Sequence, residues 1–231
     1  MSIADVCVVA CAEAWRGDGE VLASPMGVIP TLGAKLARAT FSPGLLLSDG
    51  EAFLMHENGI EGWMPYRQVF TVVASGRRHV MMGASQIDRY GNQNISCIGD
   101  WARPKSQLLG VRGAPGNTIN HPTSYFVPNH SPKVFVENVD MVCGIGYDRG
   151  AFEIRVVVTN LAVLDFDTPS HEMRLRSVHP GVAVEAVVEA TGFKLSIPDS
   201  VPITREPTES ELAIIDRLDP SKQRESQLPR P

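Results

Sequence analysis

From Ser2 to Met82 the chain alternates segments of helical period with short apolar runs, a pattern that restricts it to a mainly parallel sheet covered by helices. Ser2-x-x-Asp5 is a capping box ahead of Val6, Val9, Ala10 and Ala14, whose spacing marks one apolar helical face that Gly17 would end. Glu20–Ser24 reads as a strand. Pro30 opens a second helix through Ala39, Pro43 stops it, and Leu45–Leu47 is the unbroken apolar run of a buried parallel strand. Tyr66, Val69, Phe70 and Val73 resume the helical interval after Pro65, and His79–Met82 returns as a strand. A chain of 231 residues accommodates one such α/β domain, expected over 1–219, with a polar, proline-bearing and loose tail over 220–231.

A polar block interrupts this pattern. Gly83–Asp100 (GASQIDRYGNQNISCIGD) and the glycine-rich run Gly110–Asn117 (GVRGAPGN) hold more glycines, amides and paired charges than packing needs. A hairpin over Gln86–Ile95, turning at Tyr90-Gly91-Asn92, explains Gly91 and Asn92. It leaves Gln86, Asp88, Asn94 and the second loop without a purpose. Downstream, strands are expected at Tyr125–Val127, Val134–Val136, Met141–Cys143, Ile154–Val158, Leu161–Phe166 and Met173–Val178. Helices are expected at Val184–Ala190 and at Thr208–Arg217, the latter behind the capping box Thr208-x-x-Glu211.

A net charge of −5 without a Lys/Arg-rich run argues against nucleic acid or an anionic membrane as partner. Cysteines at 7, 11, 97 and 143 form neither a zinc spacing nor a disulfide framework, so no metal is expected. With no apolar run near eighteen residues and Asp5 at the start, neither a membrane span nor a signal peptide is read, and the chain is expected in the reducing cytoplasm.

The block GA-x-QIDRYGN-x-N, followed by IGD, RP and a G-x-x-GA loop, resembles the β subunit of class I coenzyme A transferases. The resemblance extends in order through Ser42-Pro43, Phe135–Asp140 (FVENVD), Leu161–Phe166 (LAVLDF), Ser177–Val182 (SVHPGV) and Thr204–Glu211 (TREPTESE). Within that family Ile60–Pro65 (IEGWMP), Gly76–Val80 (GRRHV), Val111–His121 (VRGAPGNTINH) and Gly144–Asp148 (GIGYD) are similar to the branch that hydrolyses a steroid ring-ketone acyl-CoA. The resemblance implies a three-layer α/β open sheet with the ligand outside the carboxyl ends of its strands. It also implies an α subunit of the same family, in a heterotetramer with two copies of each, and no cofactor beyond the coenzyme A that the substrate carries.

The family's covalent nucleophile is a glutamate just after the strand matching Leu45–Leu47. Here that place falls on Gly50, and Glu51 comes one residue late, which turns its side chain to the opposite side. Glu57 lies too far along, and its plain reading is a surface loop glutamate. The resemblance gives Gly113 and Ala114 the backbone N–H groups that hold the thioester oxygen, with Gly116 and Asn117 beside the substrate. Pro115 has no N–H to give, which leaves Ala114 and Gly116 as candidate donors in that loop. Gln86 and Asn92 are amides able to meet a carbonyl or a coenzyme A amide, although the turn alone accounts for Asn92. Trp63 and Met64 can wall an apolar pocket or belong to the core. Arg77, Arg78, Arg103, Lys105 and Arg112 are either partners for an anionic acyl-CoA or solvated surface charges, and His121 and His130 either titrate near neutrality or are core histidines.

A missing nucleophile beside an intact oxyanion loop favours hydrolysis, with the principal base on the α subunit and Glu51 as the lesser candidate. An ordinary acyl-CoA:carboxylate transferase using Glu51, and a non-catalytic acyl-CoA sensor, are the alternatives. An obligate partner would leave the chain poorly soluble by itself, with the apolar face of the first helix exposed.

Overall fold

The computed structural model describes residues 1–49, 52–56 and 59–229. The first helix, α1 (Ile3–Glu13), starts as its capping box dictates: Ser2 N–H donates to the Asp5 carboxylate at 2.6 Å and Asp5 N–H to Ser2 Oγ at 3.4 Å. It is buried on every side from Ala4 to Ala12, so the expected exposed apolar face does not exist. A helix apolar all round belongs inside, and this one is enclosed by its own chain.

The parallel core follows: β1 (Leu22–Pro25), α2 (Val28–Thr40), β2 (Leu46–Ser48), α3 (Tyr66–Ser75), β5 (Arg78–Met82), α4 (Ala114–Asn120), β10 (Pro122–Val127) and β11 (Glu153–Thr159). Strands β2, β1, β5, β10 and β11 are parallel neighbours. Antiparallel pairs flank them, β3 (Phe53–His56) and β4 (Gly59–Trp63) at one edge, β12 (Ala162–Asp165) and β13 (Arg174–Val178) at the other. Successive side chains point to opposite faces. Met81 and Phe126 join the core under α1 and α2, while Val80, Met82, Tyr125 and Val127 join the opposite one. Helix α6 (Glu209–Leu218), with the capping box expected at Thr208, closes the first face through Ile215, and α4 and α5 (Val184–Glu189) close the second through Ala114 and Val187. The result is the three-layer α/β open sheet with a mainly parallel centre.

Three expectations are corrected. The β3–β4 hairpin is unforeseen, because Phe53–Trp63 lacks strict alternation and carries Gly59 and Gly62. Val134–Val136 and Met141–Cys143 are not ladder strands: they follow turns and bends and meet the polar block only at isolated bridges, Ile87 with Phe135 and Gln93 with Gly144. The C-terminal segment is not loose as far as Pro229. Arg224, buried, donates to Asp5 at 2.7 Å, Asp216 at 2.5 Å and Asp219 at 3.2 Å, and Leu228 packs on the α1–α2 core.

Candidate active site

The carboxyl ends of β2, β1 and β5 lie side by side, where an open parallel sheet holds its ligand in a crevice. On the face toward α4, a row of buried polar side chains crosses the three strands. Ser48 Oγ donates to Ser24 Oγ at 3.0 Å and to the Ala23 carbonyl at 3.2 Å. Arg78 donates from Nε to Ser24 Oγ at 2.7 Å and from Nη1 to Asn117 Oδ1 at 2.8 Å, and Asn117 Nδ2 reaches the Met82 thioether at 3.5 Å. Arg77, Arg103, Lys105 and Arg112 are exposed, whereas Arg78 is only 4% exposed and burial pulls its pKa down to about 10. The surface-charge reading therefore fails for Arg78. The signal was available: a cation opening an otherwise apolar central strand has to be buried.

Beyond Ser48, Asp49 is tied to Ala52 and Phe53. Asp49 Oδ1 accepts from Ala52 N–H at 2.9 Å and Phe53 N–H at 3.1 Å, and Asp49 N–H donates to the Phe53 carbonyl at 3.0 Å. Gly50, Glu51 and Glu57 lie outside the described residues.

Across the crevice stands the glycine loop. Gly113 is the N-cap of α4, and its carbonyl accepts from Asn117 N–H at 3.0 Å. Its own N–H meets no acceptor among the described residues. Ala114 N–H is already spent on the Val111 carbonyl at 3.1 Å, so Ala114 is not an oxyanion donor. Gly116 is glycine for packing: a Cβ there would stand 2.5 Å from Val73 Cγ1 of α3. Asn117 faces the interior and holds Arg78 instead of a substrate.

The polar block proves to be an internally bonded clasp. Gln86 bonds Asp140 at both ends, Nε2 to Oδ2 at 3.0 Å and Oε1 from the backbone N–H at 2.9 Å, and accepts from Asn94 as well. Both ends of the side chain are thus bonded within the clasp. Asn92, 2% exposed, donates to Asp88 at 3.0 Å and to Asp148 at 2.8 Å and accepts from Gly146 N–H at 2.7 Å. It joins the hairpin β6 (Gln86–Ile87) and β7 (Gln93–Asn94) to the Gly146 loop, and Gly91 supplies the turn at φ 84°. Both amides are bonded within the clasp. Trp63 is 65% exposed on the outer strand of the sheet.

Both candidate histidines are shifted down by burial. Burial lowers His121, bonded to the Val73 carbonyl at 2.9 Å, and takes His130 down to about 3. Asp18, His79 and Ser124 repeat the hydrogen-bond order of a hydrolytic triad, at 2.7 and 2.9 Å. His79 and Ser124 are sealed from solvent, so no substrate reaches that serine. All four cysteines are free and buried.

A coenzyme A transferase family model matches residues 69–190. The cholesterol ring-cleaving hydrolase IpdB subunits of Mycobacterium tuberculosis and Rhodococcus jostii are 50% and 48% identical, each alignment spanning 97% of this chain and 98% or 95% of theirs. The crystal structure of Rhodococcus jostii IpdAB superposes with a TM-score of 0.94 at 47% identity, covering 100% of this chain and 99% of that one. With that likeness along nearly its whole length, the chain belongs to the coenzyme A transferase family.

Proposed function

We propose that this chain is the β subunit of a heteromeric hydrolase that opens the last ring of a steroid-derived keto acyl-CoA by carbon–carbon bond hydrolysis. The carrying observation is the identity of about one half, over 97% of the chain, to cholesterol ring-cleaving hydrolase subunits. The chemistry is a retro-Claisen step. A base removes a proton from water, the hydroxide oxygen bonds to the ring ketone carbon, and the bond from that carbon to the thioester α-carbon breaks. The electron pair becomes a thioester enolate, which is protonated at carbon, and the ketone carbon leaves as a carboxylic acid. The Gly113 N–H is the backbone donor for the enolate oxygen, a role worth roughly 3–4 kcal/mol where such donors have been removed. The base is assigned to the α subunit, as the family resemblance implies, with Glu51 as the lesser candidate; in keeping with this, His130 is buried with a lowered pKa and Asp88 and Asp140 are bonded inside the clasp.

The assembly is read as a heterotetramer with two copies of each subunit, working in the cytoplasm and using no cofactor beyond the substrate's coenzyme A. Among the described residues no helix is long and apolar enough to cross a membrane. The deciding assay co-expresses the chain with its partner and follows a ring-ketone steroid acyl-CoA with and without a carboxylate acceptor. Ring opening independent of acceptor is expected. Strict dependence on an acceptor, with a hydroxylamine-sensitive coenzyme A adduct on this chain, would replace hydrolysis by transfer.

A further inference from the structure

We infer that Arg78 is a positioning residue for this reaction, resting on the ring-cleaving reading: it holds the carboxyl end of β2 at Ser48 and the Gly113 turn in register. The two are remote in sequence and joined through one guanidinium. On one side Nε grips Ser24 Oγ, which also accepts from Ser48, the last residue of β2. On the other, Nη1 grips Asn117 Oδ1, whose backbone N–H fastens the Gly113 carbonyl and whose Nδ2 lies 3.6 Å from the place of a Gly113 Cβ. A buried cation is costly and is retained only where its bonds are needed. Here the guanidinium spends two fork donors on a serine of β1 and an amide of α4. The ammonium of lysine carries the same charge without the planar fork and cannot span both acceptors in that geometry.

The position of the Gly113 N–H relative to the bound thioester depends on that bridge, and displacement of a reacting group by about 1 Å costs on the order of a hundredfold in rate. Binding of the long acyl-CoA, made by many distributed contacts, depends on it far less.

The test uses the intact heteromeric enzyme and ring-ketone acyl-CoA. Arg78→Lys is expected to lower kcat by about ten- to a hundredfold with KM within about threefold. Ser24→Ala, which leaves the arginine in place but removes one acceptor, is expected to lower kcat by a smaller factor, and its effect combined with Arg78→Lys to fall short of the product of the two. Free guanidinium should restore part of the kcat of Arg78→Ala. Asn92→Ala, whose bonds go to Asp88, Asp148 and Gly146 and not to this row, serves as the destabilised control that separates the effect from general weakening. Arg78 is only a structural cation if kcat per folded complex stays within twofold in both Arg78→Lys and Ser24→Ala, or if Asn92→Ala loses as much. Should the wild type prove to be a transferase, the ring-cleaving reading fails by itself, and the same kcat comparison on transfer decides the positioning role.

Discussion

Arg224 donates from Nε to Asp5 at 2.7 Å across 219 residues of sequence, pinning the C-terminal segment to the first turn of α1. Burial works to raise the pKa of Asp5, but the Ser2 N–H and the Arg224 guanidinium hold it below its ordinary 3.8. Breaking a buried pair by removing one partner leaves the other charge uncompensated. Arg224→Ala is therefore expected to cost roughly 3–5 kcal/mol and to lower Tm by about 10 °C. Because the carboxylate pKa is depressed in the folded state, the pair's stability is present above pH 3.8 and is lost as pH falls through the folded value. Thermal scans at pH 7 check the size, and a shift under about 2 °C would return the tail to the loose state its sequence suggests.

Asn92→Ala removes the side chain that ties Asp88, Asp148 and Gly146 together and leaves buried acceptors unpaired. The expected loss is about 2–3 kcal/mol of stability, with acyl-CoA affinity of the folded complex unchanged within twofold. Denaturant unfolding and direct titration with acyl-CoA read the two quantities separately. A selective loss of affinity would move Asn92 back to the substrate.

His130 lies between Thr159 Oγ1 at 3.1 Å and Thr191 Oγ1 at 3.0 Å, stacked on Phe135, and burial lowers its pKa to about 3. Its unfolded counterpart protonates near 6.5, so the unfolded state binds the extra proton first. Stability contributed by neutral His130 is full above pH 6.5 and falls as pH drops toward 3, by at most about 1.4 kcal/mol per unit. Burial also lowers His79, His121 and His179, which add to the loss in the same direction. Unfolding free energies at pH 7.5 and 5.5 measure this, and His130→Gln should flatten the slope. An unchanged slope in that variant contradicts a neutral His130.

Glu51→Gln is expected to keep substantial ring opening, and no covalent coenzyme A adduct should form on the wild-type chain, since Gly50 occupies the family's nucleophile place in sequence. An essential Glu51 would instead cost on the order of 10⁴-fold or more. Intact mass after mixing with acyl-CoA and hydroxylamine reads the adduct directly. A shift that maps to Glu51 restores the transferase.

The sequence by itself determined the layers and the centre of the sheet. Capping boxes at Ser2 and Thr208 and the apolar runs at Leu45–Leu47 and His79–Met82 are local signals: the two capped helices began where local chemistry put them, and the two strands within one residue of it. Its motif order also gave the family. What it left undecided depends on partners distant along the chain. A glutamine or asparagine has the same donors and acceptors in a substrate site and in a clasp, and only the approach of Asp140 to Gln86 and of Asp148 to Asn92 decided between them. Ala114 lost its donor role to the Val111 carbonyl through backbone geometry that no residue type announces. Arg78 became interior because β1 and α4 close over it and supply Ser24 and Asn117, acceptors that exist as a pair only in the folded chain.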